Sequence, residues 1–265
     1  MPVTVTDHKG KTLGGLHRED FTVFDEQVSQ QIVSFTGEDS ACSVGVVLDI
    51  SGSMRNQLND FKDVVHEFLA ASNNEDEMFL LTVSSTPAVA SGFTEDFSLL
   101  ERSVRSAFAG GGTALIDTAY LGLTRMRKAE RPRRAMLVLS DGVDNHSRYS
   151  KSELMNVAME ADTQIYTIII DNTPLGKKPI ELTEEHRGWD LMDDLAEKTG
   201  GLSFRVRSVG DAKSAARNIG EAIRNQYMIG YRPPEIAGSG KWHRIRVKAD
   251  VPRASIYAPS GYYAR

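Results

Sequence analysis

The chain has almost no cysteine, no long apolar run and no excess of basic residues. Its one cysteine among 265 residues, Cys42, cannot form an internal disulfide. No apolar run approaches the roughly 20 residues that a membrane-spanning helix requires, so we expect no membrane span. The formal net charge of −5 gives no electrostatic reason to expect nucleic-acid binding.

Two further absences limit the chemistry and the location. The six histidines are scattered, and no pair of them has the spacing of zinc ligands. No signal peptide is visible after Met1. We therefore expect either a cytoplasmic protein, or a secreted, periplasmic or cell-surface protein whose signal peptide has been trimmed from the numbered sequence.

The first long apolar run and the residues after it organise the chain. Val44–Leu48 is rich in β-branched residues, which predicts a strand buried on both faces. Asp49, Ser51 and Ser53 follow at alternate positions, and residues 56–71 then have helical spacing. A carboxylate and two hydroxyls are therefore predicted between a strand and a helix, where open α/β sheets bind ligands.

Two later loops carry similar oxygen donors. Thr113 follows the glycines at 110–112 and precedes a predicted helix, and Asp141 follows the predicted buried strand 135–140. Oxygen-only donors suit a hard cation such as Mg²⁺ or Mn²⁺, with Ca²⁺ as a further candidate. The predicted metal ligands are Asp49, Ser51, Ser53, Thr113 and Asp141.

These motifs resemble the metal-ion-dependent adhesion site of von Willebrand factor type A (VWA) domains. In the family's order they are Asp49-Ile50-Ser51-Gly52-Ser53, Gly111-Gly112-Thr113-Ala114-Leu115 and Leu139-Ser140-Asp141-Gly142. The resemblance implies one divalent cation held by the five donors. It also implies an adhesion or scaffold module that binds another protein, whose Asp or Glu side chain completes the coordination of the metal.

Strands and helices alternate from residue 44 onwards, which predicts a doubly wound α/β domain with helices on both faces of a mostly parallel sheet. The link at 85–87 is too short for a crossover, so the edge strand after it should be antiparallel. The polar segment 171–188 is predicted to be a surface loop. The predicted strands are 44–48, 78–84, 87–92, 135–140, 164–170, 201–205 and 227–231, and the predicted helices are 56–71, 98–108, 114–128, 151–161, 190–198 and 212–225.

The two ends of the chain have a different pattern of short, half-polar strands. We expect residues 1–40 and 232–265 to form one small antiparallel β-module beside an α/β domain over 41–231, since isolated hairpins are marginally stable. The ends resemble those of bacterial VWA-related proteins of the Acidobacteria type. The matching residues are Asp7, Gly10, Lys11, Leu16, Glu19, Asp20, Phe21 and Val23, then Tyr231-Arg232-Pro233, Arg244-Ile245-Arg246-Val247 and Gly261-Tyr262-Tyr263.

Other interpretations of the motifs remain open at this point. The hydroxyls after Asp49 could instead cap the following helix, and residues 144–146 could be solvated loop or part of the rim of the site. An Mg²⁺-dependent phosphoryl-transfer or hydrolytic enzyme could use Asp49 as its nucleophile, but the second carboxylate that such phosphatases need is replaced by Ser51. No His or Cys stands beside the proposed ligands in the sequence, so we predict a protein without catalytic turnover.

Overall fold

The computed structural model describes residues 1–37, 39–171, 183–233 and 240–264, without the side chains of 183–187. Fourteen strands and six α-helices lie in these ranges. The strands are β1 (Pro2–Thr6), β2 (Phe21–Asp25), β3 (Val28–Gln30), β4 (Ile32–Thr36), β5 (Cys42–Asp49), β6 (Glu77–Val83), β7 (Ala88–Thr94), β8 (Arg133–Ser140), β9 (Gln164–Ile170), β10 (Ser203–Val206), β11 (Tyr227–Tyr231), β12 (Trp242–Ala249), β13 (Ser255–Tyr257) and β14 (Gly261–Tyr263). The helices are α1 (Leu58–Ala71), α2 (Phe97–Arg105), α3 (Leu115–Met126), α4 (Lys151–Glu160), α5 (Thr183–Thr199) and α6 (Val209–Arg224).

A six-stranded sheet forms the centre of the α/β part, in the order β10-β9-β8-β5-β6-β7. All neighbours are parallel except β6 and β7, which are antiparallel. Every residue of β5 is buried, as expected for a strand that helices cover on both faces. The predicted fold class and its antiparallel edge strand are therefore confirmed.

Apolar helix faces cover the two sides of this sheet. On one side α1 packs against the sheet and α6, with Phe61, Val65 and Phe68 buried in the same core as the strand residues Val46 and Leu80. On the other side α3, α4 and α5 bury Leu123, Leu154 and Leu195. Because the helices pack on opposite faces, the ends of the strands stay open between the two layers.

Two details of the α/β part differ from the sequence prediction. Helix α5 begins at Thr183, not at 190, so part of the predicted surface loop is helical, and residues 172–182 lie outside the described residues. Strand β11 does not join the parallel sheet. It pairs with β1 and β4, where Tyr227 packs against Phe21 and Phe35 with ring centroids 5.1 and 5.7 Å apart.

The two chain ends form two antiparallel sheets, in the orders β13-β1-β11-β4 and β14-β12-β2-β3. Each sheet takes strands from both ends, with Val5 opposite Ile256 in one and Val23 opposite Val247 in the other. These sheets agree with the antiparallel strands predicted at both chain ends, and β11, which precedes the predicted boundary at residue 232, pairs with them. Val33 of β4 is 54% exposed.

A buried carboxylate connects four strands of these two sheets. Asp25 of β2 accepts hydrogen bonds from the hydroxyls of Tyr231 (2.9 Å) and Tyr262 (2.8 Å). The Nδ1 atom of His243 lies 3.0 Å from the other carboxylate oxygen. Asp25 is 1% exposed, so breaking this cluster would leave several polar groups without partners away from water.

A second buried carboxylate lies in the turn between α1 and β6. Asp76 accepts hydrogen bonds from the backbone N–H groups of Cys42 (2.7 Å) and Asn73 (3.0 Å). Burial raises the pKa of Asp76 from 3.8 to about 6, and the nearby charge of Asp39 acts in the same direction. The folded protein therefore takes up this proton at a higher pH than the unfolded chain does.

We expect the wild type to gain stability relative to Asp76→Asn as the pH falls from 7 to 5. A raised folded-state pKa means that protonation favours the folded state between about pH 6 and 4, with a gain on the order of 1 kcal/mol between pH 7 and 5. Urea unfolding of both proteins at the two pH values measures the difference. If the difference in the free energy of unfolding between the two proteins is the same at pH 7 and pH 5, Asp76 does not titrate in this window.

The described residues contain no helix that is long and apolar enough to cross a membrane.

Candidate metal centre

Asp49 is the last residue of β5, and two neighbours, Ser51 and Ser140, fix its side chain. One carboxylate oxygen accepts the backbone N–H of Ser51 at 2.8 Å, and the other accepts the hydroxyl of Ser140 at 2.5 Å. The hydroxyls of Ser51 and Ser53 are 3.1 Å apart. Asp49 and Ser51 are fully buried, whereas Ser53 is exposed, so this group of oxygens reaches the surface at Ser53.

The glycine-rich loop before α3 packs directly on this first loop. The N–H of Gly110 donates to the carbonyl of Ile50 at 2.8 Å, and the N–H of Gly52 donates to the carbonyl of Gly111 at 3.0 Å. A side chain at position 52 would place its Cβ 3.1 Å from that carbonyl oxygen, which explains the glycine. These bonds place buried Thr113 beside the loop that carries Asp49.

Asp141 follows β8, the strand next to β5, and a distant tryptophan holds its backbone. The indole N–H of Trp189 donates to the carbonyl of Asp141 at 2.7 Å. Gly142 has φ +83°, and a Cβ there would lie 2.6 Å from the Trp189 ring, so only glycine fits this contact. Helix α5 therefore fixes the third loop.

The five predicted donors thus lie at one end of neighbouring strands, which we call the donor edge (Asp49, Ser51, Ser53, Thr113 and Asp141). Burial raises the pKa of Asp49 to about 6, and the charge of Asp141 acts in the same direction, while hydrogen bonds from Ser140 and Ser51 oppose it. Among the described residues, no lysine or arginine forms a salt bridge with either carboxylate.

Two buried carboxylates and three hydroxyls form an oxygen-only donor set, and a hard divalent cation fits that chemistry. A cation would also offset the repulsion between the two carboxylates. The alternative role of Ser51 as a helix cap finds no support, since its side chain makes no capping hydrogen bond and the turn after it, Gly52–Asn56, is a short 3-10 helix.

Residues near the donor edge have roles that the sequence did not reveal. His146 lies against the glycine loop, because a Cβ at Gly112 would be 2.2 Å from its Nδ1 atom. A histidine that is not adjacent to the ligands in the sequence therefore lies close to the glycine loop in space. Asn145 accepts the N–H of Thr113 at 2.9 Å, and Asp144 accepts the N–H of Ile116 at 3.2 Å at the start of α3.

Comparison with known proteins identifies the α/β part. Residues 44–143, which include all three donor loops, match the model of the von Willebrand factor type A domain. This part of the chain is therefore similar to VWA domains. An uncharacterized protein of Borreliella burgdorferi is 24% identical over 186 residues, which cover 63% of this chain and 54% of that protein. The match thus spans about half of the length of this relative.

Solved structures share the fold at low sequence identity. A von Willebrand factor type A protein from Catenulispora acidiphila has a TM-score of 0.56 and 14% identity, with 99% of this chain and 62% of that chain covered. An aerotolerance-related membrane protein from Bacteroides fragilis has a TM-score of 0.54 and 18% identity, with 69% of this chain and 98% of that chain covered. These likenesses establish the fold and leave the metal site and the Acidobacteria-type affiliation as predictions.

Proposed function

We propose that this VWA domain is an adhesion or scaffold module that binds another protein in the presence of a divalent cation, Mg²⁺ or Mn²⁺. The observation that supports this function is the convergence of two buried carboxylates and three hydroxyls at one edge of the sheet. The ligands would be Asp49, Ser51, Ser53, Thr113 and Asp141. When bound, the cation would offer a coordination position to an Asp or Glu of the partner.

The surroundings of the donors favour a rigid binding site. Backbone hydrogen bonds join the first two loops, and Trp189 holds the third loop from α5. Donors that are held before a ligand arrives lose little conformational freedom on binding, which increases affinity. The exposed hydroxyl of Ser53 gives a partner access to the otherwise buried set.

Capture of a partner from a lysate and envelope fraction of the source organism tests the proposal. The immobilised full chain should retain a protein in Mg²⁺ and release it in EDTA, and Asp49→Ala should retain none. Asp76→Asn, which changes a buried carboxylate away from the donor edge, is the matched control and should retain the partner. Retention that survives both EDTA and Asp49→Ala would contradict the proposed function.

We also predict that the protein has no hydrolase or transferase turnover. In the proposed site the hydroxyls of Ser51 and Ser53 bind the cation, so they are not free to act as nucleophiles. The Nδ1 atom of His146 lies 2.7 Å from the side-chain oxygen of Asn145. A screen for phosphatase, esterase and protease activity with Mg²⁺ should therefore detect no rate above background. Metal-dependent activity that is lost in both Asp49→Ala and His146→Ala would support an enzyme instead.

A further inference from the structure

One exposed aromatic residue in the described part of the chain, Phe108, lies in the loop that packs against the donor edge. Six large hydrophobic side chains are exposed in these parts of the chain, and two of them are aromatic, Phe108 (85%) and Tyr149 (42%). The other four are Val28, Val33, Val89 and Leu99. Single exposed apolar residues are ordinary, but aromatic residues at a binding site are frequent anchors of protein–protein interfaces.

The backbone of its loop holds Phe108 at this position. On one side the N–H of Ala107 donates to Val104 of α2 at 3.1 Å. On the other side Gly110 donates to Ile50 at 2.8 Å and accepts the hydroxyl of Ser84 at 2.8 Å. Two Cα steps separate Phe108 from Gly110, so their Cα atoms are at most about 7.6 Å apart. Phe108 thus lies within two residues of the backbone contact with the loop that carries Asp49 and Ser51.

Two arginines on the same side of the domain form no salt bridge within the part of the chain that the structure describes. Arg55 lies in the short turn Gly52–Asn56, two residues after Ser53, and Arg148 lies in the loop after Asp141. Neither side chain forms a salt bridge with any residue that the structure describes, and both residues are exposed. Unpaired surface cations attract acidic partners and speed their association.

The carboxylates around the donor edge do not cancel these cations by pairing with them. Asp117 accepts the backbone N–H groups of Arg148 and Tyr149 at 2.8 and 2.9 Å, and Asp144 accepts the N–H of Ile116 and the hydroxyl of Ser147. Their charge is used locally to order the loop. The side chains of Arg55 and Arg148 therefore remain available to a partner.

We infer that the partner segment carries a metal-binding Asp or Glu with an apolar residue beside it and a second acidic residue nearby. Phe108 packs against the apolar residue, and Arg55 pairs with the second acidic residue. This inference rests on the proposed function, because the metal-binding carboxylate fixes the segment at the donor edge. Phe108 and Arg55 then determine which acidic segments bind.

A displayed library of disulfide-closed peptides, each with one fixed Asp between random positions, tests the inference on the full chain. Selection in Mg²⁺ should enrich peptides with an apolar residue next to the fixed Asp and a further acidic residue. Phe108→Ala should weaken the binding of these peptides about tenfold. Arg55→Ala should slow their association, and the difference from wild type should shrink as salt is added.

Matched variants and calorimetry separate this inference from the proposed function. Val28→Ala and Arg246→Ala, both exposed in the terminal sheets, should bind the peptides as the wild type does, and Phe108→Ala should keep the wild-type Mg²⁺ affinity. Magnesium-dependent peptides that bind Phe108→Ala and Arg55→Ala normally would overturn this inference alone. A library that yields no binder dependent on Mg²⁺ and Asp49 would overturn the proposed function and the inference with it.

Discussion

Asp49→Ala is expected to abolish Mg²⁺ binding by this protein. The substitution removes the central buried carboxylate and also the acceptor that holds Ser140 and Ser51 in place. The loss of affinity should exceed the roughly 10- to 100-fold that changes outside the ligand shell typically cost. Titration calorimetry of Mg²⁺ into the wild type and the variant measures it, and equal binding by both proteins would refute the assignment.

Asp49→Asn separates lost binding from lost folding. Burial disfavours the ionised carboxylate, as its raised pKa shows, so an amide of the same shape should fold without a cation. In urea unfolding, Mg²⁺ at about 100 times the dissociation constant should stabilise the wild type by about 2.7 kcal/mol. The same concentration should not change the free energy of unfolding of Asp49→Asn. Asp76→Asn, with its buried carboxylate far from the donors, should respond to Mg²⁺ as the wild type does.

Deleting residues 232–265 removes the C-terminal strands, and it is also expected to reduce the hydrogen-exchange protection of the N-terminal strands. Strand β2 would lose β12, its partner over Ile245–Ala249, and β1 would lose β13. Hydrogen exchange should become fast over residues 21–30, because the β2–β3 hairpin that remains without β12 is marginally stable. Slow exchange in β5 and β8 would show that the α/β part remains folded.

Asp25→Ala tests the same coupling without shortening the chain. It removes the acceptor shared by His243, Tyr231 and Tyr262, which leaves buried polar groups unpaired at a cost of about 3–5 kcal/mol. Tyr231→Phe removes one donor and should cost only about 1 kcal/mol. If residues 21–30 are as protected in the truncated chain and in Asp25→Ala as in the wild type, the two ends fold independently.

The α/β fold and the donor edge could be predicted because their signals are local. Continuous apolar runs such as Val44–Leu48 indicate strands covered on both sides, and the helices between them require parallel pairing. The carboxyl ends of parallel strands meet at one edge. Asp49 and Asp141, each placed directly after such a strand, therefore had to be close in space.

Only the tertiary structure decided where half-apolar segments pair. Tyr227–Tyr231 has apolar residues that suit either sheet, and its position was settled by the aromatic rings of Phe21 and Phe35, about 200 residues away in the chain. The contact of Trp189 with Asp141 joins residues 48 positions apart, and that of His243 with Asp25 joins residues 218 apart. Periodicity reports which face of a segment is buried, but it does not report which partner buries it, and that choice depends on the packing of the whole chain.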